Sequence, residues 1–278
     1  MKRVINMSEQ QIIHDTRQPL SADDVRQCLF DLGIRTDDRV VVHSSLSALG
    51  YVIGGAQSII TALIDTVKDG TLIMPAHSSD WSDPAAWSNP PVPKEWVEDM
   101  IRTMPAYDKE LTPPRKMGKI AETFLMMKKT ERSDHPQASF AAYGKEAAEL
   151  TSHHGLTPMF GLQSPLGKLY QRGGKILLLG VDFSSCSAFH LAEAITGIPA
   201  MEKIGSPIMV NGQRQWVWYE DFIYDADDFP KIGQLLLEKG LATTRPLGNT
   251  QAIVADIKTA VDAAIRFIRI TRQNQDTP

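Results

Sequence analysis

Three consecutive β-branched residues, Val40-Val41-Val42, run directly into His43-Ser44-Ser45-Leu46-Ser47. A β-branched run of this kind predicts a buried strand. A glycine-punctuated loop follows, and then an apolar-periodic helix from about Ala56 to Val67 with Ile59, Ile60, Leu63, Ile64 and Val67 on one face. After Asp69-Gly70, the run Thr71–Pro75 reads as a second strand. Strand, helix and strand at this spacing make a parallel pair with a right-handed crossover. The chain is thereby committed to an α/β sheet. In such sheets ligands bind beyond the carboxyl ends of the strands, where His43–Ser47 sits. Turn amides and helix N-termini there favour phosphates.

The flanking sequence extends the pattern. Ser21 can cap a helix carrying Val25, Cys28, Leu29 and Leu32, with Gly33 as its stop. The first dozen residues read as a loose lead-in, and Thr271–Pro278 as a frayed end. Residues 78–114 hold seven prolines and three tryptophans without a clear period. They predict a long ordered loop or lid, with one short helix over Lys94–Thr103. Further helices are expected over Met117–Lys129, Lys145–His153 and Pro165–Arg172, and a strand over Ser139–Tyr143. Lys175–Val181 is a continuous apolar run and reads as a central parallel strand. Asn211-Gly212, between Pro207–Val210 and Gln215–Tyr219, signals a hairpin with a type I′ turn. Helices over Pro230–Lys239 and about Gln251–Ile270 close the chain. The expectation is a three-layer α/β/α fold, with a mainly parallel central sheet and an antiparallel hairpin appendage. One domain spans residues 15–272.

Composition excludes several classes. The longest apolar runs fall well short of a membrane span. The N-terminal MKRVINMSEQ lacks the apolar core of a secretory signal. Two cysteines, Cys28 and Cys186, make neither a disulfide framework nor a metal quartet. A cytoplasmic protein is expected. The net charge of −4 and the lack of a basic stripe argue against nucleic-acid binding. They suit a small cationic substrate. Oligomeric state is not legible.

Among residues able to do chemistry, His190 and Glu193 lie three apart on a predicted helix and share a side. The apolar stripe of that helix is Ala188, Leu191, Ala192 and Ile195, so the pair is expected to face away from the core. Cys186, one turn earlier, permits a Cys–His nucleophile. His43, His77, Asp80, His190 and Glu193 permit a metal-dependent hydrolase, without any HExxH or paired CxxC spacing in support. No metal is expected.

Ordered segments add a resemblance. HSSLSALGYVIGG is followed by GTLIMPAHS (Gly70–Ser78), RKMGKIAETF (Arg115–Phe124) and RSDHPQASFAAYG (Arg132–Gly144). SPLGKLYQRGGKILLLGVD (Ser164–Asp182), SAFHLAE (Ser187–Glu193) and YEDFIYDADDF (Tyr219–Phe229) come next. In this order they resemble the aminoglycoside 3-N-acetyltransferase family over roughly Ser21 to Gly240. The resemblance implies acetyl-CoA as co-substrate and transfer to an aminoglycoside amine at the 3-N position. It implies His190 as the catalytic base and a carboxylate matching Asp221, where the family commonly carries glutamate. Imidazole needs an acceptor on its second nitrogen, and Glu193, Glu220 and Asp221 are the candidates. The resemblance also places coenzyme A against His43, Ser44, Ser45, Leu46 and Ser47. Met117, Gly118, Ser139, Phe140 and Ala141 form a second tier of coenzyme contacts. Arg115 and Lys119 are possible phosphate partners. The ammonium groups of the acceptor would meet Asp80, Asp83, Glu220 and Asp225. The alternatives are another amine metabolite as acceptor, or a coenzyme A-binding protein without catalysis.

Overall fold

The computed structural model describes residues 8–272. The expected fraying at the C-terminus falls mostly on 273–278, outside the described residues. The lead-in is not wholly loose. Ser8 accepts from the Gln11 amide at 3.2 Å and caps helix α1 (Glu9–Asp15). Helix α2 (Ala22–Asp31) starts on a reciprocal capping box. Ser21 Oγ accepts from the Asp24 amide at 3.2 Å, and the Asp24 carboxylate accepts from the Ser21 amide at 2.8 Å.

Strand β1 (Arg39–Ser44), helix α3 (Gly55–Thr66) and strand β2 (Thr71–Pro75) form the expected βαβ unit, with Val40 opposite Leu72 in parallel register. Helix α4 (Val97–Thr103) follows in the proline-rich segment. Helix α5 (Lys119–Leu125) is shorter than expected, starting after Gly118 at φ +84°. Next come β3 (Glu131–Arg132), β4 (Phe140–Gly144), α6 (Ala147–Thr151), α7 (Pro165–Arg172), β5 (Lys175–Leu179) and α8 (Ala188–Thr196). The hairpin is β6 (Met201–Val210) and β7 (Gln213–Phe222), and α9 (Phe229–Glu238) follows it. Its turn residues have φ +50° (Asn211) and +77° (Gly212), as a type I′ turn requires. The chain ends in β8 (Ala242–Leu247), β9 (Thr250–Asp256) and α10 (Ile257–Arg272).

The sheet order is β3-β4-β2-β1-β5-β9-β8. The central trio β2-β1-β5 is parallel, and both flanks pair antiparallel. Strands β4 and β9 alone run against the other five. Side-chain alternation divides the core in two. Val41, Ile176 and Leu178 enter one apolar cluster with α6–α10. Val40, Val42, Leu177 and Leu179 enter the other with α2, α3 and α5. Burial on both faces is why these strands read as unbroken apolar runs.

One expected element is corrected. Gln251–Ile270 is not one helix: residues up to Asp256 form β9, and only Ile257 onward is helical. Val254 and Ile257 match a helical spacing by chance. Ala252, Ile253, Val254 and Ala255 are all buried, as in a strand covered on both faces. The proline-rich segment is tied to the hairpin. The Tyr107 amide donates to the Pro207 carbonyl at 2.8 Å, Arg214 Nε to the Met104 carbonyl at 3.0 Å, and Ser206 Oγ to the Trp81 carbonyl at 2.7 Å.

Candidate active site

Strand β1 ends at Ser44, and the Ser45 amide donates to the Leu179 carbonyl of β5 at 2.9 Å. This locks the serine loop onto the central strand. Gly180, at φ +70°, closes against it. A Cβ there would lie 3.0 Å from the Ser45 carbonyl oxygen and 3.2 Å from Ala48 Cβ. The loop borders a cleft of about 970 Å³ at the carboxyl ends of the parallel strands. All of His43–Ser47 line it, as do Met117, Gly118 and Lys119. Helix α3 opens onto the same cleft through Gly54 and Gly55, and no side chain among the described residues caps its first amides. Those orphan N–H groups carry the positive end of the helix dipole.

Sequence reasoning gave His77 no role beyond a possible metal ligand, yet it also walls the cleft. The signal was its position, just past the end of β2 and beside His43 at the end of β1. His43 Nε2 and His77 Nε2 are both buried and find no hydrogen-bond partner among the described residues. Burial, then the nearby His190 imidazole, lowers the His43 pKa to about 4. Burial, then the nearby His43, His190 and His154 imidazoles and the Arg132 guanidinium, lowers that of His77 to about 3. Both rings are therefore neutral at pH 7.

His190 lies on α8, after β5 and a short turn capped by Asp182, which accepts from the Ser184 amide at 2.9 Å. Its Nδ1 is 2.6 Å from Glu193 Oε2. An ionised carboxylate only accepts, so Nδ1 carries the proton and Nε2 keeps its lone pair. No described residue bonds Nε2, and the side chain retains 18 % exposure. Phe160 stacks on the ring at 5.0 Å, with Tyr224 at 5.3 Å and Phe229 at 4.7 Å around it.

The pair does face away from the apolar stripe of α8, but not into open solvent. Glu193 is fully buried. Its Oε1 accepts from Arg272 and, at 3.1 Å, from the Asp225 amide. The segment from Tyr224 to Phe229 and the end of α10 cover this side of the helix. Glu193 is therefore the carboxylate on His190. Asp221 is buried separately and accepts from the amides of Met159 and Phe222, both at 2.8 Å, and from Tyr224 Oη at 3.3 Å. Burial raises its pKa, and among the described contacts it meets His190 through Tyr224.

Other expected residues lie elsewhere. Ser139, Phe140 and Ala141 belong to the core beside and within β4. Ser139 Oγ donates to the Ala76 carbonyl at 2.7 Å and accepts from Arg132 Nε at 3.0 Å. None of the three lines the cleft. Asp80, Asp83, Glu220 and Asp225 do not line it either. Asp80 pairs with Arg115, which removes Arg115 as a free phosphate partner. Asp83 caps a turn through the Ala85 amide at 3.0 Å. Glu220 is exposed on β7, and Asp225 is exposed beside the dyad. Cys186 is fully buried, and burial pushes its thiol up to about 12. Among the described residues no group of three His, Cys, Asp or Glu side chains could hold a metal ion. His43, His77, Asp80, His190 and Glu193 thus do not converge on one point. None of the described helices is long and apolar enough to cross a membrane.

Compared with known proteins, the chain is an acyltransferase. It belongs to the aminoglycoside 3-N-acetyltransferase family, whose sequence pattern matches residues 41–269. It is 39% identical to the SPbeta prophage-derived aminoglycoside N(3')-acetyltransferase-like protein YokD of Bacillus subtilis (strain 168), over 92% of this chain and 95% of that protein. The crystal structure of YokD superposes with a TM-score of 0.92 at 37% identity, covering 97% of this chain and all of that one (100%). Aminoglycoside N(3)-acetyltransferase IX of Micromonospora chalcea is 31% identical, over 94% of this chain and 98% of its own length. A structure of AAC-IIIb in a binary complex with CoASH matches with a TM-score of 0.80 at 27% identity, over 91% and 97% of the two chains.

Proposed function

We propose that this protein transfers the acetyl group of acetyl-CoA to the 3-amino group of an aminoglycoside, and that residues 15–272 form one catalytic domain. The observation that carries the reading is the His190–Glu193 pair, at 2.6 Å, on the helix that follows central strand β5. The cleft beside it suits coenzyme A. At about 970 Å³ it is at the upper end for small-molecule sites. Its wall offers two neutral imidazoles whose Nε2 atoms find no hydrogen-bond partner among the described residues, the serine loop, the amides opening α3 and the Lys119 ammonium. His43–Ser47, Met117 and Gly118 would hold the coenzyme. When bound, acetyl-CoA supplies the thioester carbonyl that the amine attacks.

The chain's own part is proton handling. Sugar amines are largely protonated at neutral pH and attack as the neutral amine; His190 Nε2 takes the proton that the nitrogen sheds as the C–N bond forms, and returns it to the thiolate released when the C–S bond breaks. Such a base contributes about 10²–10⁴ in rate. Glu193 keeps the ring in the accepting tautomer and stabilises the imidazolium. The buried Cys186 thiol supports direct transfer without an acyl-enzyme. Asp225 and Asp227, exposed beside the dyad, attract the remaining ammonium groups. The net charge of −4 supports a cationic small molecule, not a nucleic acid, as partner. Two free cysteines are in keeping with a cytoplasmic setting.

The test is thiol release from acetyl-CoA with a panel of aminoglycosides and simple amines. Aminoglycoside-dependent release is expected, lowered at least about a hundredfold in His190→Ala with coenzyme A binding intact. Full turnover by folded His190→Ala would remove the base. Acetylation of a singly charged amine, with no aminoglycoside bound or turned over, would replace the acceptor.

A further inference from the structure

We infer that Arg272, the last described residue of α10, is a positioning residue for His190. The inference rests on His190 being the base. Arg272 lies beyond the stretch 41–269 matched by the family pattern. Its guanidinium meets three elements of the site at once. One terminal nitrogen donates to Glu193 Oε1, and the other to the Asp225 carbonyl at 3.0 Å. Nε donates to Asp228 Oδ2 at 3.3 Å. The side chain is 14 % exposed and Glu193 is not exposed at all (0 %).

Two consequences follow from this geometry. Glu193 Oε1 takes one guanidinium N–H and the Asp225 amide, while the planar guanidinium is itself held by the Asp225 carbonyl and Asp228, and these fixed donors keep Oε2 aimed at His190 Nδ1. The guanidinium also offsets the charge of a carboxylate that water cannot reach. Without Arg272, Glu193 would present its whole negative charge to the imidazole. The pair would then hold its last proton to higher pH, and less of the enzyme would have a free base at neutral pH. The other titratable or charged groups facing His190 and its partner are His43, His77, Tyr224, Asp221 behind Tyr224, Asp225 and Asp228. His43 and His77 are neutral at pH 7, and Asp228 is already paired with Arg272, so Arg272 is the permanent cation of this set.

The experiment compares wild type, Arg272→Met, Arg272→Lys and His190→Ala, by kinetics against pH and by an NMR titration of the His190 ring in the first three. In Arg272→Met, kcat should fall about 10- to 100-fold, as for outer-shell partners of histidine ligands, with KM for acetyl-CoA unchanged. The His190 midpoint and the acid limb of kcat/KM should both rise by about one pH unit. Arg272→Lys keeps the charge but loses the fork. It should retain the wild-type midpoint with only part of the wild-type kcat. An unmoved midpoint in folded Arg272→Met, or wild-type kcat in Arg272→Lys, overturns the inference. If Arg272→Met does not fold, Arg272→Lys decides alone. Turnover retained by His190→Ala is the failure of the base reading instead, and the NMR midpoint separates the two because it needs no catalysis.

Discussion

Glu193→Gln is the sharpest probe of the dyad, because it preserves volume and changes only charge and hydrogen-bond polarity. Glu193 accepts at both oxygens: His190 Nδ1–H at Oε2, and Arg272 with the Asp225 amide at Oε1. An amide has one accepting end and one donating end. If its oxygen turns to His190, its NH₂ faces two donors, Arg272 and the Asp225 N–H. If its oxygen turns to Arg272 and Asp225, its NH₂ faces His190 alone. The second arrangement keeps one more hydrogen bond to a charged group, about 1.5–3 kcal/mol. That favours it by roughly ten- to a hundredfold. In it Nδ1 must accept, so Nε2 carries the proton and cannot act as base. The active tautomer falls to about 10 per cent or less, and the imidazolium loses its counter-charge. We expect kcat to drop at least about 30-fold, up to the roughly 10⁴ known for a wrong-tautomer histidine elsewhere. Coenzyme A affinity should hold, because Glu193 does not touch the cleft. Thiol-release kinetics and calorimetric titration with coenzyme A measure both quantities. A folded Glu193→Gln enzyme within about threefold of wild-type kcat would refute the tautomer argument.

Three further outcomes are expected. Cys186→Ala should stay active, and mass spectrometry of wild type in turnover should find no acetyl group on Cys186, whose buried thiol is pushed up to about 12. Asp225→Asn should raise the acceptor KM, and salt should do the same to wild type; Asp221→Asn should instead lower stability, since Asp221 holds the Met159 and Phe222 amides. Stability itself should depend on acid: burial depresses His43 and His154 to about 4 from an ordinary 6.5, so the unfolded chain binds their protons first. Stability is then full above pH 6.5 and lost as pH falls towards 4, by about 3 kcal/mol per histidine; a urea midpoint flat from pH 7 to 4.5 would contradict it.

Much of this protein is legible in its residue order. The run from Val40 to Val42 and the run Lys175–Val181 read as buried strands, because a sheet covered on both faces accepts unbroken apolar runs. Asn211-Gly212 dictated the hairpin through its positive φ values. His43–Ser47 could be placed at a ligand-binding end because strand polarity follows from chain direction. That His190 and Glu193 share one side of a helix followed from helical spacing alone. These are local or topological consequences.

What the sequence could not supply depends on elements distant in the chain. Spacing put Glu193 on an exposed face, but that face is covered by Tyr224–Phe229 and the end of α10. The choice of Glu193 over Asp221 was likewise tertiary, since two buried amides satisfy Asp221. Asp80 and Asp83 looked free until Arg115 and a turn amide took them. Segment 250–256 carried apolar residues compatible with either period, and pairing with β5 and β8 made it a strand. A carboxylate's partner is set by which donors are nearest in space, and spacing along the chain does not encode that distance. Arg272 meets Glu193 across 79 residues of chain, so only the folded structure brings it to the site.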